Sequence, residues 1–341
     1  MIITRTPLRI SLFGGGTDVS DFYKEETGCV VSFPINRYVY LSLNRSFENK
    51  GFFLKYSDIE RCETIDDIRH RIIKSVFSEH EISGVEFLAS ADFPGGTGMG
   101  SSSAFTVGLH RLCSEYRGMS LSNFEYATLA CRTEIEKLGE PIGKQDQFGC
   151  AIGGAKFIEF EPDGLVKVSP LDLTQNQENL LSKNLFLIRI PGTRSASKIL
   201  SDQFSGISNN KSKKKNLRAM AEQARSFSRD IENNIPYIGE WLHDGWMVKK
   251  SLSPLISNDI VDAIYDRALK AGATGGKLLG AGGSGFLMMY CPREKHQEFA
   301  RNMSDLSITK INLDFSGSVT IHKSLDRIFH SNDLCIDNGN R

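Results

Sequence analysis

"PGGTGMGSSSAF", residues 94–105, sets four glycines and three serines in twelve positions. Gly and Ser in such density make either a flexible linker or a stretch of bare backbone that a ligand can approach closely. The flanks decide between them. Upstream, "GVEFLASADFP" (84–94) reads as a strand that stops at Pro94. Downstream, "SSSAFTVGLHRLCSEYRG" (101–118) reads as a helix, with Phe105, Leu109, Leu112 and Tyr116 recurring at spacings of three and four. A glycine turn between a strand and a helix start is a place to hold phosphate. The first helical turn has unpaired N–H groups and carries the positive end of the helix dipole.

The chain has 341 residues, enough for two domains, with 40% hydrophobic and 24% charged residues. Lys+Arg and Asp+Glu are 41 each, so the balance gives no reason to expect a nucleic-acid partner. Seven scattered cysteines without a C-x-x-C pair suit a reducing cytoplasm better than a disulfide framework. The seven histidines form no H-x-x-x-H, which argues against zinc. "MIITRTPLRIS" lacks the apolar core of a signal peptide, and no apolar run is long enough to span a bilayer. The expectation is a soluble cytoplasmic protein, monomer or homodimer, with no membrane partner.

Three glycine-dense stretches punctuate the chain: "LFGGGTD" (12–18), the opening stretch, and "KLLGAGGSGF" (277–286). The first follows a strand, "MIITRTPLRISLF"; a second strand, "GCVVSFPINRYVYLSLNRS", is expected to be interrupted by Pro34. Helices are predicted at 101–117 and about 122–138, and a hairpin at 153–171 turning on "PDG". "DLTQNQENLLSKN" reads as a polar break, after which "LFLIRIPG" opens a second domain. That gives domains 1–183 and 184–341. The second holds helical tracts over about 213–249 and a capped helix from Ser257 to Ala271, ended by Gly272. The basic run "KSKKKNLR" (211–218) reads as a solvated helix face.

Known glycine-loop mechanics narrow the choice. Gly95 to Gly100 has the spacing of a P-loop, but Ser101 stands where a P-loop needs Lys. Gly280, Gly282 and Gly285 form G-x-G-x-x-G, yet "FLMMY" behind them is strand-like where a dinucleotide site needs a helix. A dinucleotide-dependent oxidoreductase therefore ranks as a remote alternative.

Two carboxylates stand out. In "LSNFEYATLACRTEIEKLG" (121–139), Ser122 and Glu125 make a capping box, and Phe124, Ala127, Cys131, Ile135 and Leu138 form an apolar stripe. Glu134 lies on the flank of that stripe, where a carboxylate needs a cation, a metal or hydrogen bonds. It is either a rim glutamate with an arginine partner or a Mg²⁺ ligand. Asp146 sits in the shaped loop "PIGKQDQFG" (141–149), either as a turn residue or as the base for a substrate hydroxyl, with Lys144 close by to keep it ionised.

Together, "PLRISLFGGGTD", "PGGTGMGSSSA" and "KLLGAGGSGF", in that order, resemble the three motifs of the GHMP kinase superfamily, whose members phosphorylate sugars, homoserine, mevalonate and related small molecules. The resemblance runs over nearly all of the chain. "GGGTD", "GEPIGKQDQFG" and "GTRSASKIL" look most like the kinases of D-glycero-D-manno-heptose 7-phosphate, with fucose and galactose kinases as the nearest relatives and the alternative reading. It implies a mixed α/β (α+β) fold, with a ribosomal-protein-S5-like N-terminal domain, a ferredoxin-like C-terminal domain and a cleft between them.

It also implies ATP and Mg²⁺, and phosphorylation of an anomeric hydroxyl to give a heptose 1,7-bisphosphate for nucleotide-activated heptose and surface polysaccharide. By motif match, Pro94, Gly95, Gly96, Gly98, Gly100, Ser101, Ser102 and Ser103 would wrap the ATP phosphates. Ser102, or a neighbouring serine one position away, would ligate Mg²⁺ together with Glu134. Asp146 would act as base or orient the hydroxyl. Arg9 would stand near the transferred phosphoryl, or pack. Asp18 and Gly16 would meet sugar hydroxyls, with Lys144 beside them, and Gly282 would help close the site as backbone. Arg194, Lys198 and Arg37 are candidates for the 7-phosphate. Departures are small: Met99 stands where the superfamily often has Leu, and "GGGTD" replaces the Gly-Glu-His segment of galactokinases, which speaks against plain galactose.

Overall fold

The opening run forms β1 (Ile2–Phe13), and its side chains alternate as a strand demands. Ile2, Thr4, Thr6, Leu8, Ile10 and Leu12 are buried on one face, while Arg9 and Ser11 share the other face near the strand's end. That places Arg9 and Ser11 just before the first glycine motif. The computed structural model describes residues 1–192, 196–204 and 210–324.

Among the described residues, the other strands are β2 (Gly28–Arg45), β3 (Phe52–Lys55), β4 (Ile59–Cys62), β5 (Val85–Ala91), β6 (Lys156–Phe160), β7 (Val166–Pro170), β8 (Leu185–Ile190), β9 (Gly275–Leu278), β10 (Gly285–Tyr290), β11 (Ile308–Lys310) and β12 (Val319–Lys323). One sheet runs β12-β1-β2-β5-β3-β4, with β6 and β7 continuing from the other end of β2. The second runs β11-β8-β10-β9, antiparallel throughout. β12 returns late in the chain to pair with β1.

The Ser101–Tyr116 helix packs across β1 and β2 on one side and against the helices Asn123–Cys131 and Gln145–Ala151 on others, which buries it on almost every side. The helices Lys211–Arg229 and Ile238–Lys250 lie between the sheets, and Phe13 of β1 meets Phe227 and Trp241 at ring separations of 4.5 and 6.3 Å. This aromatic contact joins the two halves into one apolar core. No helix among the described residues is long and apolar enough to cross a membrane.

Four expectations from the sequence change. Pro34 does not interrupt β2: it sits between the stretches of β2 that pair with β6 and with β5, and its carbonyl accepts from Asp314 N–H of a loop. A missing N–H there breaks no strand ladder on that edge. The polar break is a helix, Gln175–Asn184, started by a capping box between Thr174 and Gln177 and anchored by buried Leu181. The helix expected from Ser257 is capped by Asn258, whose side chain accepts from Val261 N–H, and runs Asp259–Lys270. The helix expected at 122–138 is regular only over Asn123–Cys131; Arg132–Lys137 winds as a π-helix, with Leu138 N–H donating to Thr133 O, five residues back, at 3.0 Å. Thr133 and Glu134 of this π segment turn inward, whereas Phe124, in the regular first turn, is 41% exposed with its ring against Phe148.

Candidate active site

The opening stretch is a turn between β5 and the Ser101–Tyr116 helix. Gly96, Gly98 and Gly100 take φ values of +74°, +79° and +72°, a region side chains disfavour. A Cβ on Gly98 would stand 2.5 Å from Leu279 O, and one on Gly280 would stand 2.3 Å from Gly98 Cα. The second and third glycine motifs therefore touch backbone to backbone. The first joins them through Arg9, whose N–H donates to Met99 O at 3.0 Å and whose Nη1 donates to Gly98 O at 2.9 Å. The first three N–H groups of the helix, on Ser101 to Ser103, have no acceptor in a preceding turn. They adjoin a cavity of about 270 Å³ that Gly96, Glu134, Asp146 and Gly282 also line.

Glu134 is 1% exposed and surrounded by donors. Ser102 Oγ (2.8 Å) and Thr106 Oγ1 (3.1 Å) donate to Oε1; Ser103 Oγ (2.8 Å) and Gln147 Nε2 (2.7 Å) donate to Oε2. Burial raises its pKa against the pull of these bonds. No arginine pairs with it among the described residues, so the rim-glutamate alternative does not describe it. Ser102 is both a donor to Glu134 and part of the cavity wall, so its hydroxyl keeps lone pairs for a cation. Gln147 Oε1 is buried without a partner, a further oxygen beside the carboxylate. One carboxylate and serine hydroxyls on the cavity wall fit Mg²⁺, which shares its sphere with phosphate and water.

Asp146 lies in the first turn of the Gln145–Ala151 helix, and its cation is Arg9. Arg9 Nε (3.0 Å) and Nη2 (2.5 Å) both donate to Oδ1. Burial pulls the guanidinium pKa down most, but the charge and hydrogen bonds of Asp146, with Asp18 and other groups nearby, together outweigh it, so Arg9 stays charged. Lys144, expected to serve Asp146, instead donates to Gly164 O at 2.7 Å and lies over the Tyr23 ring.

Asp18 is 1% exposed and accepts from Gly16 N–H (3.0 Å), Gln145 N–H (3.0 Å) and Gln145 Nε2 (2.9 Å). Burial pushes it up to about 6 while these donors pull it back. A Cβ on residue 143 would fall 2.0 Å from its Oδ2, which accounts for Gly143. Asp18, Gly16, Gln145 and Arg9 line a second cavity that shares Arg9, Asp146 and Gly280 with the first. Arg9–Asp146 thus stands at the junction of two spaces: one walled by glycine loops, one by side-chain donors and acceptors.

The models for the GHMP kinases N terminal domain and the GHMP kinases C terminal domain match residues 68–154 and 217–305. D-glycero-alpha-D-manno-heptose 7-phosphate kinase of Campylobacter jejuni is 30% identical over 311 residues, 86% of this chain and 91% of its own. The chain belongs to the GHMP kinase family. It is therefore a phosphotransferase, with the two-domain fold of that family. Galactokinase of Thermotoga maritima is 29% identical over 190 residues, 53% of each chain. Among solved structures, a D-glycero-D-manno-heptose 1-phosphate kinase from Bacteroides thetaiotaomicron shares the fold at a TM-score of 0.78 and 21% identity, covering 95% of this chain and all of that one. A putative sugar kinase from Campylobacter jejuni gives 0.76 at 25% identity, covering 94% of this chain and 97% of its own.

In this GHMP kinase, the residues picked from sequence on the glycine loops, Glu134, Asp146, Arg9, Asp18, Gly16 and Gly282 all line the two joined cavities or their walls, with Pro94 and Gly95 at the start of the turn. Arg37 lies elsewhere, donating to Asn36 O and Lys310 O with its plane over Phe93. Arg194 and the Lys198 side chain fall outside the described residues. Sequence reading missed Gln145 and Gln147, which flank Asp146 and bind the other two carboxylates. The "QDQ" pattern was the available signal. It also missed an apolar cavity of about 440 Å³ beside the glycine turn, lined by Tyr56, His70, Ile72, Phe93 and Phe105 and sharing Gly95, Gly96, Ser101 and Ser102 with it.

Proposed function

We propose that this kinase transfers the γ-phosphoryl group of ATP to the anomeric hydroxyl of D-glycero-D-manno-heptose 7-phosphate, giving the 1,7-bisphosphate. The observation that carries the reading is the Arg9–Asp146 pair at the junction of the glycine-walled cavity and the Asp18 cavity. ATP phosphates take the backbone N–H groups of residues 95–103, and the adenine ring takes the adjoining apolar cavity. Ser102 and Glu134 hold Mg²⁺, which when bound offsets charge on the phosphates.

The sugar lies against Asp18, Gly16 and Gln145. Asp146 accepts the proton of the attacking hydroxyl as its oxygen bonds to the γ-phosphorus and the bond to ADP breaks. Arg9 holds Asp146 in place and adds positive charge where charge accumulates. The heptose substrate is supported by the Campylobacter relative, 30% identical over most of both chains; galactokinases match at lower identity, 29% over half of the chain or 25% over 82% of it.

The test is ADP release with Mg²⁺–ATP across heptose 7-phosphate, fucose, galactose and mevalonate, with Asp146→Asn as control. Turnover confined to heptose phosphate and lost in the control is expected. Turnover with fucose or galactose in its place would discard the heptose and keep the mechanism.

A further inference from the structure

Two lysines from the second half of the chain reach the sugar-side cavity with no charge to answer them. Lys249, in the last turn of the Ile238–Lys250 helix, is 6% exposed and donates to Leu278 O (3.0 Å) and Gly280 O (2.6 Å). Lys277, on β9, is 5% exposed and donates to Leu12 O at 2.9 Å. Among the described residues neither has a carboxylate within ion-pair distance. An ammonium has three donors. Lys249 has used two of them and Lys277 one, so three N–H groups stay unclaimed.

Burial is costly for an unpaired ammonium: it pulls Lys249 down to about 7, and Lys277 well below its usual range with Lys249 and Arg9 adding repulsion. Arg9, the third cation here, is committed to Asp146. Both lysines line the cavity of Asp18 and Gln145, and neither lines the glycine-walled cavity. In the same wall, Ser11 Oγ, Gln145 Oε1 and Gln203 Oε1 are buried without hydrogen-bond partners. Orphaned oxygens call for hydroxyl donors, and unclaimed ammonium groups call for an anion. A ligand that satisfies both is a polyol carrying a negative group.

We infer that Lys249 and Lys277 form the subsite for the phosphate of a sugar phosphate acceptor and make the enzyme prefer it to the neutral sugar. This rests on the proposed reading of the cleft as a sugar site. Two lysines from different elements suit a phosphate monoester, which carries close to two charges, better than a single carboxylate.

The experiment compares kcat/KM for heptose 7-phosphate and for unphosphorylated heptose in wild type, Lys249→Gln and Lys277→Gln. The ratio is expected to fall at least tenfold in each variant while KM for ATP stays unchanged. A ratio preserved in folded variants overturns the subsite. Because Lys277 also ties β9 to β1, wild type supplies a second arm: inhibition by glycerol 3-phosphate against glycerol. Inhibition competitive with sugar, and at least tenfold stronger for the phosphate, is expected; equal inhibition, or competition with ATP alone, overturns the inference. A wild type that ignores heptose 7-phosphate but turns over another sugar defeats the proposed substrate, and the glycerol phosphate arm, read against that sugar, still decides the subsite.

Discussion

Arg9 binds Asp146 through one oxygen only: Nε and Nη2 both donate to Oδ1, and Oδ2 has no partner among the described residues. The Asp146 side chain is 29% exposed while that of Arg9 is 4% exposed. The pair thus fixes the carboxylate and leaves its other oxygen open to the cavity. An acceptor hydroxyl has one place to deliver its proton. Asp146→Asn keeps an oxygen for Arg9 and removes the proton acceptor, so kcat should fall by roughly 10²–10⁴ with KM for ATP unchanged. Steady-state kinetics check this; a loss under tenfold would remove Asp146 from proton transfer.

Glu134 makes a different claim, about metal. Glu134→Gln keeps the shape and loses the charge, and the serine hydroxyls can turn to suit the amide. The Mg²⁺ concentration for half-maximal rate should rise by about tenfold or more, with partial recovery of rate at high Mg²⁺. An unchanged Mg²⁺ dependence would contradict its role as ligand.

Gly98 and Gly95 separate packing from ligand approach. Alanine at 98 meets both a positive φ and the Leu279 carbonyl, so Gly98→Ala should lower Tm and push the third glycine motif away from the second. Gly95 has nothing within 4 Å of its missing Cβ. Gly95→Ala should leave Tm unchanged. Thermal unfolding of both variants is the check, and equal Tm losses would contradict the backbone contact.

Asp18 links the site to pH. Its pKa stands at about 6 in the fold against an ordinary 3.8. Between those values the folded chain holds a proton that the unfolded chain has released, so this group's contribution to stability falls as pH rises from about 4 to about 6. The loss is up to ~3 kcal/mol. Asn does not titrate, so urea unfolding of wild type and Asp18→Asn should show their difference moving against wild type across that window. A difference that stays flat would mean Asp18 is not held in a desolvated site.

Much of this site was legible because its chemistry depends on local pattern. A glycine turn ahead of an apolar-periodic helix needs no tertiary knowledge, and Glu134 betrayed itself by lying beside an apolar stripe. The π-turn that aims Glu134 inward was not legible, since it replaces the 3.6-residue repeat on which the stripe was drawn. Arg9 rather than Lys144 serves Asp146 because β1 brings residues 137 apart together, which sequence spacing cannot report. Nothing local in the chain marks Lys249 and Lys277; only the packing of β9 and the Ile238–Lys250 helix makes them buried. Thr174 shows the same limit at a helix start: the capping residue was present, but the apolar residues that decide between break and helix were few. At Asn258 the helix was legible and only the cap moved by one residue.

The most direct measurement is the position of the new phosphate. Wild-type enzyme, Mg²⁺–ATP and heptose 7-phosphate are incubated together, and the product is read by ³¹P NMR with proton coupling. The account predicts one new sugar-phosphate signal beside those of ADP, coupled to the anomeric proton, appearing in step with ADP and slowed by roughly 10²–10⁴ with Asp146→Asn. A phosphate on any other carbon, or ADP formed at the same rate without sugar, would contradict transfer at the Arg9–Asp146 junction.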